Sequence, residues 1–488
     1  MVLDRPVGRP AFRKPERRTL APPRGTGPPP PPPIPPTPGL YLRGPPPLPP
    51  PGAILPRPIV VCLDLARMKQ MDSSRSSSLM KVQFLEDTGV SPSEEETRRR
   101  ERIILELHKI VMDWAKMVAF NQGGKPWITS GTVLTFGSYD LGAYGPESDI
   151  DAVCVGPCIA SLQAIHANDP RLLEKVDEAS WRCLSGVRVN RQIMQLVPNM
   201  KKFQLLLRCL KLWARKRGIH CHLVGFFAGI HLAVLGAYVC RRHPNATANT
   251  LLCRFFEIFS HWPWPLPVSL HEQTPLWSPD GCSLMPIVMP CYPPEFCASN
   301  VTKSTFNKIK EELWRGLSLT KDTSSVDIDW SWIFAPFPYG AKYKHFLRIV
   351  LSAPTTEELR DWVGWVKSRF RSLILKLESL NIGCDPNPSE QVDHTIGEPN
   401  AVFLWGLIMY SNTQICTTSL KEDFMRSVTN NIYGKEKCAH SDIELSVVGM
   451  PQVPKSMSDH PAYLQKLPNL PPRMLGYPPM RQGCNAVG

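Results

Sequence analysis

The chain has 488 residues, which suits two to four domains, and 43% of them are hydrophobic, enough for a sizeable core. Its formal charge of +13 suits a polyanionic partner and says nothing about fold. The 15 cysteines are odd in number, scattered and without a CxxC pair, Cys154 and Cys158 coming nearest to a ligand spacing. Reduced thiols in an intracellular protein are therefore expected, not a disulfide framework or a zinc site.

Residues 1–78 form a separate compositional regime, with six consecutive prolines from Pro28 to Pro33 and dispersed Arg and Lys. Such a tract cannot build a packed core and is expected to be a disordered arm of polyproline II character. It suits SH3- or WW-like partners, nuclear import through the basic run Arg13 to Arg18, or simple solubilisation. The N-terminus has no apolar h-region, so a secretory signal is not supported.

Order is expected from about Leu79. From Glu101 to Phe120, Ile103, Ile104, Leu107, Ile110, Val111, Trp114, Met117 and Val118 recur at three- and four-residue steps, the pattern of an amphipathic helix. Arg98 to Arg100 read as its solvated entry.

A β-branched run, Thr132 to Phe136, then ends in Gly137-Ser138, and a second apolar run carries Asp149 and Asp151. Side chains alternate along a strand, so carboxylates two apart are expected to point the same way. Two converging carboxylates repel unless a cation sits between them, and a hard divalent ion with oxygen ligands is the usual answer. Small residues after a strand let backbone N–H groups face a phosphate. Alone, each motif is a solvated strand end or a turn; together they outline a metal-assisted phosphoryl- or nucleotidyl-transfer site.

A strongly basic helix follows, from about Asn199 to Lys216, with Phe203, Leu206, Leu207, Leu210 and Trp213 as its buried stripe. Arg208, Lys211 and Arg215 fall at i, i+3 and i+7 on one face, where like charges repel unless a polyanion neutralises them. Leu223 to Cys240 is apolar for about the length of a membrane span, but His231 sits in its middle, and a buried core helix is the expectation. Trp262 to Pro293 reads as an irregular covering segment. Further helices are expected over Phe306 to Ser318, and from the capping box Thr355-x-x-Glu358 through Leu373. Leu347 to Leu351 and Ala401 to Tyr410 read as strands. Strand, helix and strand with basic flanks (Lys342, Lys344, Arg348, Lys367, Arg369, Arg371) suggest a small α/β sandwich like an RNA-recognition module.

The segments FGSYDLG and ESDIDAV resemble the signature of the nucleotidyltransferase superfamily. LVPNMKKFQLLLRCLKLWARKRGI (Leu196 to Ile219), LMPIVMPCYP (Leu284 to Pro293) and KYKHFLRIVLSAP (Lys342 to Pro354) resemble eukaryotic, plant-like poly(A) polymerases, in order, over roughly Leu79 to Tyr410. The resemblance implies an α+β multidomain chain: an arm (1–78), a mixed-sheet nucleotidyltransferase domain with N-terminal helices (79–195), a helical middle domain that also takes the helix at Glu101 to Phe120 (196–333), an RRM-like RNA-binding domain (334–450) and a Pro-rich tail (451–488). It implies transfer of AMP from ATP to an RNA 3′ end, as in mRNA polyadenylation. Asp149 and Asp151 would hold two divalent ions, Mg²⁺ or Mn²⁺, one polarising the attacking 3′-hydroxyl and one carrying the triphosphate. Phe136, Gly137 and Ser138 would meet ATP at its phosphates, Lys211 would hold the triphosphate, and Gly229 and Ile230 would approach the adenine. His220 and His222 stand where the family has a tyrosine and an asparagine, and His220 is kept as an ATP contact.

The resemblance also marks a departure. Family members place a third carboxylate on a further strand, before a VDE-type segment and a Gly-Cys-Arg-Val-type turn. Here Val176-Asp177-Glu178 and Gly186-Val187-Arg188-Val189 arrive too early for such a strand, and none of Asp169, Glu174, Asp177 or Glu178 lies in an alternating apolar run. The alternatives are thus a catalytically impaired, RNA-binding member and a scaffold acting through its arm. Expected partners are RNA 3′ ends, ATP and 3′-end processing factors, with no membrane. The expected location is the nucleus, or the cytoplasm because the long basic Ser/Thr-rich tail of many nuclear members is missing.

Overall fold

A computed structural model describes residues 91–121, 131–156, 178–271, 283–291, 295–297, 300–321, 330–409 and 415–449. The chain divides into two units, Met1–Leu63 and Asp64–Gly488, and all described residues lie in the second. The expected arm, the onset near Leu79, the carboxylates Asp169, Glu174 and Asp177, and the tail after Met450 lie outside the described residues.

Helix α1 runs Glu94–Asn121, seven residues earlier than periodicity suggests. Its start is a capping box: Ser93 N–H donates to Glu96 Oε2 (2.8 Å), and Glu96 N–H donates to Ser93 Oγ (3.2 Å). Only Val111, Ala115 and Ala119 are buried, whereas Ile103, Ile110, Trp114 and Met117 of the expected stripe are exposed. The small residues win because α1 lies on strand β1 (Thr132–Phe136). A Cβ at Gly131 would stand 3.1 Å from the Ala115 Cβ. Strand β1 pairs antiparallel with β2 (Asp151–Val155), and short helix α2 (Gly137–Asp140) leaves β1 at once. Among the described residues this sheet has two strands, fewer than a mixed sheet requires. Helices α3 (Glu178–Cys183) and α4 (Ser185–Leu196) follow, and Trp181 and Leu184 pack on Val155 beneath the sheet. The expected turn at Gly186 to Val189 is therefore the first part of α4, whose Val187, Val189 and Ile193 are buried.

Helix α5 (Met200–Lys216) is capped by Asn199, whose side chain accepts from Lys202 N–H (3.0 Å). Its five expected core residues are all buried, with Trp213 edge-on to Phe255 and Phe256. The apolar run after it starts as a 3₁₀ turn, His222–Val224, and becomes helix α6 only at Gly229–Arg242. Gly225, at φ +89°, ends the turn. No described helix is long and apolar enough to cross a membrane. Helices α7 (Ala248–Ser260) and α8 (Lys303–Lys321) complete this helical layer.

After the short helix α9 (Tyr339–Lys342) the chain builds β3 (His345–Ser352), α10 (Thr356–Lys367), α11 (Phe370–Ser379), β4 (Ile382–Asp385), β5 (Asn400–Met409), α12 (Thr417–Val428), α13 (Ile432–Cys438) and β6 (Asp442–Gly449). The capping box works as read, Glu358 N–H donating to Thr355 Oγ1 (3.2 Å), but the helix breaks at Ser368-Arg369 into α10 and α11. All strand pairs are antiparallel in the order β4-β5-β3-β6, the split β-α-β-β-α-β arrangement. One face (Leu347, Ile349, Phe403, Trp405) packs on α10 to α12, with Phe370 edge-on to both Phe403 and Trp405.

The opposite face is covered as well. Phe337, Tyr339 and Tyr343 pack on Phe346 and Leu404, Val350 and Val402 are buried, and Arg348 pairs with Asp393 (2.6 Å). The sheet thus offers no bare aromatic platform for bases. The basic flanks are engaged too: Lys342 pairs with Glu311 and Lys367 with Glu390, Arg369 stacks on Trp365, and Arg371 donates to Asn300 O.

Buried ion pairs join the helical layer to this sheet. Arg217, just past α5, donates two bonds to Glu312 (2.8 and 2.9 Å) and two to the carbonyls of Ala335 and Pro336 (2.8 and 3.0 Å). Burial alone would raise the Glu312 pKa, but Arg217, with Arg315 and Lys308, outweighs it and holds that carboxyl below its ordinary value. Lys308 Nζ donates to Asp385 (2.5 Å) and to Tyr339 Oη (2.7 Å), and Tyr343 donates to Asp385 (2.6 Å). Removing one member of such a pair strands its partner, so Asp385→Ala is expected to lower unfolding free energy by about 3–5 kcal/mol. Urea titration followed by tryptophan fluorescence measures this; a loss below about 1 kcal/mol would mean that Lys308 is not held by Asp385.

Candidate active site

Phe136, the last residue of β1, stands opposite Asp151, the first of β2. Gly137 then turns the chain at φ +67°, where a Cβ would lie 2.0 Å from Asp151 Oδ2. Only glycine fits between the turn and that carboxylate. Asn190 of α4 reaches across and donates to Gly137 O (3.0 Å) and Asp140 Oδ2 (3.0 Å), fixing α2 from outside the local sequence. Gly186 lets α4 approach β1: a Cβ there would sit 2.4 Å from the Phe136 ring.

The loop from Gly142 to Asp149 is tied on two sides. From α5, Arg208 donates to Gly142 O (2.8 Å) and Lys211 Nζ to Ala143 O (3.1 Å). From α1, Arg100 donates to Pro146 O and Ser148 O (2.8 Å each) and lies over the Tyr144 ring. The expectation of a wet arginine face thus fits Arg98, which pairs with exposed Glu94, and fails for Arg100. Strand β2 begins only at Asp151, so Asp149 sits in the extended residues just before it and not within the strand.

These elements enclose a cavity of about 480 Å³. One wall is acidic, with Glu147, Asp149 and Asp151; another carries Lys211, Arg215 and His220; Gly229, Ile230, Ala233 and Met289 form an apolar side. Burial and the neighbouring Asp149 raise the Asp151 pKa, while Lys211 pulls it back. Lys211 is 7% exposed, and burial with Arg215 beside it lowers its pKa to about 8, against the pull of Asp149 and Asp151. A bound polyanion near Lys211 and a cation between the carboxylates would each relieve these strains.

Phe136, Gly137, Ser138, Asp149, Asp151, Lys211, His220, Gly229 and Ile230 all line this one cavity. His222 does not; its ring meets the Asn300 side chain (3.1 Å) outside it. Gly229 is open, with nothing within 4 Å of a Cβ built there. His231 is buried beneath the cavity floor. Its Nδ1 accepts from Ala228 N–H (3.0 Å), which leaves the proton on Nε2, donating to Cys297 O (2.5 Å). Sequence reading missed Asn190 and Arg100, whose contacts span 53 and 46 residues; no local pattern marks them.

A divalent ion between Asp149 and Asp151 would relieve the mutual repulsion that Lys211 offsets only in part. Among the described residues no group of three His, Cys, Asp or Glu side chains could hold a metal on its own. Glu178, described at the start of α3, is solvent-exposed and pairs with Arg182 (2.5 Å).

Comparison with known proteins follows this geometry. Residues 61–167 match the poly(A) polymerase nucleotidyltransferase domain, 202–336 the poly(A) polymerase central domain, and 338–382 the poly(A) polymerase predicted RNA binding domain. Residues 125–232 also match the general nucleotidyltransferase domain. Nuclear poly(A) polymerase 3 of Arabidopsis thaliana is 38% identical over 80% of this chain and 88% of its own length. Nuclear poly(A) polymerase 2 of the same plant is 32% identical over 71% of this chain, and the poly(A) polymerase of Dictyostelium discoideum 33% identical over 60%. The matches span about half of those two longer relatives, 52% and 45%. With its acid pair, lysine helix and split-sheet domain in the same order as these domains, the chain belongs to the eukaryotic poly(A) polymerase family of nucleotidyltransferases.

Proposed function

We propose that this protein transfers AMP from ATP to the 3′ end of RNA, releasing pyrophosphate, with Asp149, Asp151 and Lys211 as its working groups. The observation that carries this is the meeting of an acid pair and a partly desolvated lysine across one cavity, joined by a glycine turn that admits no side chain. Lys211 and Arg215 offset the charge of a triphosphate lying against α5, and Gly137 and Ser138 leave room for its oxygens. Gly229, Ile230 and Met289 give the base an apolar slot. Asp149 and Asp151 would hold Mg²⁺ brought with ATP, which supplies charge neutralisation at the phosphates. Lys211 is suited to charge offset because its proton, loosened in the free protein, is held firmly once phosphate arrives.

A second reading has its own support. Glu147 lines the same wall, but among the described residues no third carboxylate groups with Asp149 and Asp151 closely enough to hold a metal, so the side of the site that would meet the RNA 3′-hydroxyl has less to position an ion. Nucleotide binding then outlasts efficient turnover, and the protein acts as a slow or RNA-holding member. The domain division proposed is 79–195, 196–333 and 334–450, the last an RRM-like module. Because its sheet is covered on both faces, that module would meet RNA through edges and loops. The nucleus is the proposed location, in keeping with relatives named as nuclear enzymes.

Calorimetry with Mg·ATP is expected to show binding that the Asp149→Ala/Asp151→Ala double variant loses; equal affinity would remove the acid pair from the site. In primer extension of oligo(A) with ATP, the protein should run on the order of 10²–10³ slower than a relative with three site carboxylates. Comparable rates would show that another group supplies the third role. Gly137→Ala is expected to cost about 1–3 kcal/mol of stability from its left-handed backbone alone and to displace Asp151. Gly229→Ala should fold normally and weaken ATP binding by narrowing the base slot. Thermal melts and ATP titrations of both variants distinguish the two effects, and a fully stable Gly137→Ala would contradict the packing described.

A further inference from the structure

His220 is the least explained group in the cavity. It follows α5 by four residues and lines the cavity beside Lys211 and Arg215, yet its Nε2 is buried and has no hydrogen-bond partner among the described residues. A buried polar atom without a partner costs free energy unless something that enters the cavity satisfies it. The charged groups that face the ring are Arg215 and Lys211 from α5 and His231 from α6. His231 is itself kept neutral by burial. The acid pair raises the proton affinity of Lys211 and is not among the main influences on His220. With burial and two cations against it, the free ring is held neutral, its pKa lowered to about 4.

A polyphosphate reverses every part of that balance. Its negative charge cancels the field of Lys211 and Arg215, and its oxygens accept a hydrogen bond from a protonated Nε2. A tyrosine or glutamine in this place cannot gain a proton, so the behaviour would belong to this chain's imidazole.

We propose that His220 takes up a proton as the triphosphate enters, becoming a third cation of the phosphate wall beside Lys211 and Arg215 and making nucleotide binding tighten as pH falls. The inference rests on reading this cavity as the nucleotide site. The proton comes from solvent, and no other bond changes. The sign follows from linkage: the bound state holds the proton more tightly than the free state, so affinity gains as pH drops through the bound-state pKa and levels off below the free-state pKa. If the bound ring returns to an ordinary imidazole value of about 6.5, uptake is roughly 0.7 of a proton at pH 6 and almost none at pH 8, and affinity rises about fourfold between them.

The test is calorimetry of the full chain with Mg²⁺ and a non-hydrolysable ATP analogue. It is run at pH 6 and pH 8 in two buffers of different ionisation enthalpy, which counts protons directly. Wild type should take up more protons at pH 6 than His220→Gln or His220→Tyr, and the difference should vanish at pH 8. Because a variant can misfold, the C2 proton of His220 in labelled wild-type protein is also titrated by NMR with and without the analogue. A bound-state pKa at least two units above the free one supports the proposal. Binding that Lys211→Ala weakens, with equal proton counts in wild type and the His220 variants, overturns the His220 inference and leaves the site reading intact. Binding indifferent to Lys211→Ala, or no binding by wild type at either pH, overturns both.

Discussion

The constraint on which the site depends is the anchoring of helix α5 by Arg217. A guanidinium with four directed bonds, two to Glu312 and two to backbone carbonyls, is fixed in position and rotation. It lies at the end of the helix that carries Arg208, Lys211 and Arg215, and its partner Glu312 sits on α8, itself locked to the split sheet by Lys308 and Asp385. The basic wall is therefore built on two packed layers sharing one hydrophobic core. Trp213, buried among Phe227, Phe255 and Phe256, sets the other side of the same helix. A cation that must stay unpaired until substrate arrives needs such a frame, because a freer lysine would find a carboxylate.

The acid wall is built differently. Two antiparallel strands alone are marginal in water, and the small cluster of Val155, Trp181 and Leu184 adds little. What holds Asp149 and Asp151 in place is a set of polar tethers from three helices. Arg100 fixes the carbonyls before Asp149, Asn190 fixes the turn before α2, and Arg208 with Lys211 fixes Gly142 and Ala143. Lys211 serves both walls: it donates to the loop and faces the cavity. Its lowered proton affinity reflects that compromise, since one carbonyl replaces only part of the hydration it gives up.

Much of this was legible in the sequence where the signal was local and periodic. The buried stripe of α5, the capping box at Thr355, strands β3 and β5, and the turn at Gly137 each follow from spacing that chain stereochemistry enforces. The same logic was right on α1 only for Val111: the other large apolar residues it put on the buried face gave way to Ala115 and Ala119. Close approach to β1 selects small side chains, and periodicity alone does not report how near a neighbour comes. It also could not tell that Arg348 and Lys367 would find Asp393 and Glu390 from a covering loop. Arg100 and Asn190 were invisible for the same reason: their partners are tens of residues away, and an arginine on a helix reads as solvated until its acceptor is known.

Binding and chemistry in this site place different demands on the two walls. Holding a nucleotide needs positive charge, a slot for the base and room at a glycine turn, all of which lie on or against the rigid α5 layer. Activating a 3′-hydroxyl would need negative charge fixed at the opposite wall, where Glu147 and Asp149 stand on a tethered loop and Asp151 opens the thin sheet. Burial and Asp149 both raise the Asp151 pKa against the pull of Lys211, so positive charge arriving with a substrate would favour its ionised form. The order of events follows from this electrostatics. The triphosphate and its ion must enter first, satisfying Lys211 and relieving the acid pair, before a second polyanion such as an RNA end can approach without adding to the repulsion. An order of ATP before RNA would then be imposed here by charge alone, more strictly the fewer fixed carboxylates there are to hold an ion in advance.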